Sequence, residues 1–138
     1  MSAKDIYHDV VRQALTDEGW DITADPLRIQ FLGVELRIDL GAERVIAADR
    51  NGEKIAVEIK SFLRSSAITD FHEALGQYID YREGLAHIEP DRLLFLAVPI
   101  VAYQTFFQLP FGQYMVQQYQ LKLIVYHPER EVIVQWLP

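Results

Sequence analysis

Near the start of the chain, in "SAKDIYHDVVRQALTDEGW", the apolar residues Ile6, Tyr7, Val10, Val11, Ala14 and Leu15 recur at helical spacing. They predict an amphipathic helix that opens on a Ser2-x-x-Asp5 pattern resembling a capping box and stops at Gly19. Its other side gathers Asp5, His8, Asp9, Arg12 and Thr16, a face for water or for chemistry. Over residues 20–31 and 34–40 the pattern shifts to short extended pieces, broken at Asp25-Pro26 and at Gly33. Two strands are predicted there.

Two alternating runs then flank Asn51-Gly52, a strong short-range hairpin signal because a type I′ turn needs positive φ at both central residues. With these two as the loop, Val45 faces Glu58 and Glu43 faces Lys60. Alternation puts Ile55, Val57 and Ile59 on one face and Ala56, Glu58 and Lys60 on the other. In "SSAITDFHEALGQYIDYREG", Ile68, Phe71, Leu75, Tyr78 and Ile79 form a helical stripe that Gly84 can end. "RLLFLAVP" is apolar without alternation, as expected of a central strand covered on both faces. Residues 101–120 read as helix interrupted near Pro110 and Gly112, and "LKLIVY", a His-Pro-Glu-Arg turn and "EVIVQW" read as a closing hairpin. The order predicts a mixed α/β fold, a sheet flanked by helices.

Composition narrows the classes. The 138 residues suit a single domain spanning 1–138, and 50% hydrophobic with 24% charged residues is globular composition. No apolar run approaches the roughly 20 residues a membrane span requires, and the N-terminus lacks a signal-peptide core, so a cytoplasmic, membrane-free protein is expected. The absence of cysteine excludes disulfides and thiolate chemistry. A net charge of −7 opposes non-specific binding to nucleic acid, so any DNA contact must be local.

The candidate chemistry lies in "GEKIAVEIKSF". Glu58 and Lys60 on one face, with a second acid across the hairpin, are what a phosphodiester-cleaving metal site uses. The acids hold Mg²⁺ through oxygen, and the lysine sits near the attacking water or the developing charge. An arbitrary Glu-x-Lys is more often an ion pair on a solvated sheet face. His72 belongs to no zinc motif, since Gly76 stands where a second histidine would be needed. His8, His87 and His127 are scattered along the sequence.

The stretches "AKDIYHDVVRQAL", "IDLGAERVIAADR", "IAVEIKSF" and "FHEALGQYIDYR" together resemble the XisH family, the fdxN element excision controlling factors, from about Ala3 to the C-terminus. The resemblance implies a restriction-endonuclease-like fold of the PD-(D/E)xK class. It also implies a part in excising a DNA element alongside a site-specific recombinase and an XisI-type companion protein. On that pattern Glu58-Ile59-Lys60 is the second half-motif, and the first acid is Asp39 by motif appearance or Glu43 by hairpin register. No proline precedes Asp39 as the full motif would have it. Asp5 or Asp9 on the first helix would complete such a site, and Gln77 and Tyr81 match a recurrent feature of these nucleases or serve helix packing. The uncharged, aromatic- and glutamine-rich stretch 101–120 suits either a core or an interface with another chain. Homo-oligomerisation stays open.

Overall fold

The computed structural model describes residues 5–46 and 49–138. A six-stranded mixed sheet runs in the order β1 (Asp21–Ala24), β4 (Leu40–Ile46), β5 (Asp49–Ile59), β6 (Arg92–Pro99), β7 (Leu123–His127), β8 (Val132–Leu137). β5, β6 and β7 are mutually parallel, and the outer pairings are antiparallel. Between β1 and β4, the strands β2 (Leu27–Phe31) and β3 (Val34–Ile38) form a separate antiparallel hairpin. The expected mixed sheet flanked by helices is present. No helix among the described residues is long and apolar enough to cross a membrane.

Strand alternation divides the core as the pattern requires. Ile55, Val57 and Ile59, with Leu40 and Ala42, pack under Val11 and Leu15 of α1 (His8–Asp17) and under Trp20. Ala56 turns to the other face, where Phe71, Ala74, Tyr78 and Leu85 of α2 (Ala67–Ile88) meet Leu94, Leu96 and Val98. β6 is buried on both faces beyond Leu93, which explains its unbroken apolar run.

Four details depart from the sequence reading. The capping box at Ser2 lies outside the described residues, and α1 begins only at His8, after a turn in which the Asp5 carboxylate accepts the Tyr7 N–H at 2.9 Å. α2 runs past Gly84. That glycine is a packing position, because a Cβ there would lie 2.9 Å from both Ile29 Cδ1 and Leu36 Cδ1 of the β2–β3 hairpin. The 101–120 stretch breaks earlier than predicted, into α3 (Ile100–Gln104), a 3₁₀ turn at Phe106–Gln108 and α4 (Pro110–Gln118), with Pro110 opening a helix rather than interrupting one.

The fourth departure is the hairpin register. β4 and β5 pair Leu40 with Val57, Glu43 with Lys54 and Ile46 with Asp49. Asn51-Gly52 therefore lies inside β5. Gly52 does need its positive φ (67°), but at an irregularity in the pairing, where a Cβ would come 2.6 Å from the Arg44 carbonyl oxygen.

Candidate functional site

Asp39 occupies the single position between β3 and β4, where the chain passes from the small hairpin into the main sheet. The β4–β5 register carries it alongside Glu58, and the two acids exchange backbone contacts. The Asp39 N–H donates to Glu58 Oε1 at 3.2 Å, and the Ile59 N–H donates to Asp39 Oδ2 at 2.8 Å. Each carboxylate thus receives a strand-end amide of the opposite segment, which helps fix both acids. Lys60 follows directly. Its N–H bonds the Ala97 carbonyl at 3.0 Å and its own carbonyl accepts the Tyr126 hydroxyl at 3.1 Å, so its backbone is held on both sides. The next amide, of Ser61, donates to Asp5 Oδ2 at 2.9 Å, tying the start of the chain to the end of β5.

The electrostatics of the pair are unusual for surface acids. Glu58 is 5% exposed, and burial first, the Asp39 charge second, push its carboxyl up to about 9, against the pull of Lys60. Burial also raises Asp39, opposed mainly by its hydrogen bond from Ile59. The Lys60 ammonium stands 3.9 Å from Glu58 Oε2 but only 2.9 Å from Glu73 Oε1 on α2. The hydrogen bond from Lys60 accordingly lowers Glu73 below the usual carboxylate range. Tyr81 is raised by burial and then by the charges of Glu58 and Asp39.

These groups face a cleft of about 670 Å³. Of the residues expected at a site, Asp39, Glu58, Lys60, Asp5, Gln77 and Tyr81 all line it. Glu43 does not. The true register sets it opposite Lys54 and Asp21, toward the other end of β5, so it cannot stand beside Lys60 as the assumed Asn51-Gly52 turn required. Asp9 is exposed and outside the cleft. Sequence reasoning missed Glu73 and Arg64, and it missed Arg28 and Arg37 on the hairpin. It placed His8 on a polar face, yet His8 is 3% exposed, its Nε2 2.8 Å from Asp25 Oδ1 and its Nδ1 buried with no partner among the described residues. Only the i, i+3 spacing of Asp70 and Glu73, just past the Glu-x-Lys segment, hinted at the acidic wall of α2.

The family model for the XisH protein matches residues 1–134. The chain belongs to the XisH family. An XisH family protein from Nostoc punctiforme PCC 73102 shares 52% identity with a TM-score of 0.89, covering 97% of this chain and 100% of its own. An fdxN element excision controlling factor protein from Anabaena variabilis shares 50% identity with a TM-score of 0.88, covering 98% of this chain and 100% of its own. No curated protein matches the sequence.

Whether this XisH chain could hold a divalent cation can be judged from its donors. Asp39 and Glu58 offer hard carboxylate oxygens, and burial has left them short of compensating positive charge, the condition a bound cation would relieve. Among the described residues no third Asp, Glu, His or Cys joins them in a metal-holding group. That set fits Mg²⁺ better than Zn²⁺ or Ca²⁺, because Mg²⁺ is typically bound by one or two carboxylates and completes its shell with water and ligand phosphate.

Proposed function

We propose that this XisH chain acts in the excision control of a DNA element and carries a Mg²⁺-dependent phosphodiester-cleaving site at Asp39, Glu58 and Lys60. The observation that carries the reading is the mutual strand-end pairing of the buried Glu58 and the half-buried Asp39, with a lysine two residues on, in one cleft. Asp39 and Glu58 would hold the ion, which when bound neutralises phosphate charge and makes a bound water more acidic. Glu58 must give up its proton for this, and Asp39 keeps its orientation through the Ile59 amide. Lys60, anchored through its backbone, brings an ammonium to the same side for the phosphate or the attacking water. Gln77 and Tyr81 border the pair from α2 and offer neutral hydrogen-bonding groups. The excision role rests on family membership and on the related Anabaena variabilis factor. A site-specific recombinase and an XisI-type companion are its proposed partners, in the cytoplasm.

The test is cleavage of supercoiled, linear and branched DNA in Mg²⁺ or Mn²⁺, with wild type and Glu58→Gln, each with and without the companion. Metal-dependent cutting lost in the variant supports the nuclease. A second reading, a non-catalytic accessory on the same scaffold, is favoured by the hold of Glu73 on Lys60 and by the net charge of −7. No cutting under any condition, with both proteins binding the companion equally, would decide for it.

A further inference from the structure

The β2–β3 hairpin buries Leu27, Ile29 and Ile38 and turns Arg28, Gln30, Glu35 and Arg37 outward. Arg28 and Arg37 are direct cross-strand partners. Like charges placed opposite one another destabilise an antiparallel pair. Glu35 lies between them, 3.4 Å from Arg28 and 3.7 Å from Arg37. Both side chains are at least half exposed, so these ion pairs contribute little to the fold. Yet both reach the wall of the cleft whose floor is Asp39 and Glu58. Arg64, 61% exposed and bonded to Asp70 and Glu73, lines the same cleft.

We propose that Arg28 and Arg37, with Arg64 of the same cleft, hold the phosphate backbone of a DNA duplex over Asp39 and Glu58. This rests on the reading of the cleft as a phosphodiester site and names the residues that bring the substrate there. Guanidinium forks match phosphate oxygens in pairs, which a lysine cannot do. They also resolve the difficulty raised by the charge: a chain of net charge −7 can hold a polyanion only where cations are gathered. Even here six carboxylates face four Lys and Arg side chains, so the arginines need the floor acids neutralised to succeed. DNA affinity should therefore depend on a divalent cation as well as on the arginines, independently of any cutting.

The experiment is fluorescence anisotropy of a labelled duplex with the full chain in Ca²⁺, in Mg²⁺ and in EDTA, across a salt series, with cleavage followed in parallel. Wild type should bind only with the divalent cation. R28A/R37A should bind about tenfold more weakly, the sum of two exposed charge contacts. Its slope of log affinity against log salt should fall by about 2, one per lost phosphate contact. R28K/R37K, which keeps the charge, should retain most of the salt slope, showing that the loss is not misfolding. Lys54→Ala, toward the opposite end of β5, should bind as wild type. Unchanged binding by R28A/R37A, an equal loss in Lys54→Ala, or no binding by wild type would overturn the clamp. Arginine-dependent binding without cleavage upholds it and sinks the nuclease, whereas cleavage that survives R28A/R37A undiminished does the reverse.

Discussion

Replacing Glu58 with glutamine should stabilise the cation-free protein, and by more as the pH rises. In the folded chain the Glu58 carboxyl sits at about 9, raised by burial and then by Asp39, against 4.5 for an ordinary glutamate. Between those values the native state keeps a proton that the unfolded chain has released. The stability tied to that proton is complete below about pH 4.5 and is lost steadily as the pH climbs toward 9. The slope for one proton is about 1.4 kcal/mol per pH unit, so on the order of 3 kcal/mol disappears between pH 6 and pH 8. Glutamine has the shape of the protonated acid and can still accept the Asp39 N–H through Oε1, but it does not titrate. Urea unfolding in EDTA at pH 6, 7 and 8, followed by tryptophan fluorescence, should show the variant gaining on wild type by about that amount across the range. Added Mg²⁺ should then stabilise wild type by mass action and leave Glu58→Gln unmoved. Parallel pH profiles for the two proteins would refute the argument, because they would mean that Glu58 is ionised in the folded state at little cost.

Three further outcomes are expected. Lys60→Met should lower Mg²⁺-dependent cleavage by about 10²-fold or more while keeping the Mg²⁺-induced rise in unfolding free energy, since the two acids are untouched; loss of both effects would make Lys60 an organiser of the acids instead. Tyr78→Phe should cost about 1–3 kcal/mol in urea unfolding, because the buried hydroxyl donates to the Leu94 carbonyl and accepts the Lys122 N–H, both at 3.1 Å. Gly112→Ala should destabilise by about 1–3 kcal/mol despite the better helix propensity of alanine, since its Cβ would lie 2.4 Å from the Phe106 carbonyl oxygen.

Much of the fold was legible because its periodicities are clean. The alternation through Ile55, Val57 and Ile59 assigned the two faces of β5 correctly, and the continuous apolar run of β6 marked a doubly covered strand. The misplaced features share one physical origin: a glycine signals a conformation or a close approach without saying which. Gly52 has the positive φ expected of a turn but spends it on a pairing irregularity, and Gly84 makes room for Ile29 and Leu36 instead of ending α2. The first error displaced the hairpin register and moved Glu43 beside Lys60 on paper. With the real pairing, Asp39 stands next to Glu58 through direct continuation of the strands. The rim cations were invisible for another reason, since Arg28, Arg37 and Arg64 converge only through the packing of the hairpin on α2 and the turn after β5.

A sheet face that carries both a carboxylate and an ammonium invites explanation as an ion pair, and the geometry argues against that. A pair built for stability would bring Lys60 close to Glu58, yet the ammonium lies a full ångström nearer Glu73. The acid left behind is almost wholly buried beside a second acid, an arrangement that works against folding at neutral pH. Exposed lysine and glutamate would serve the surface better, and an apolar residue would serve the core better. The cost is recovered if Asp39 and Glu58 share a divalent cation, because the burial that penalises each bare carboxylate then strengthens its hold on the ion. On the proposed reading the site is therefore a place where stability is withheld until the cation arrives, and the pH profile of Glu58→Gln measures how much is withheld.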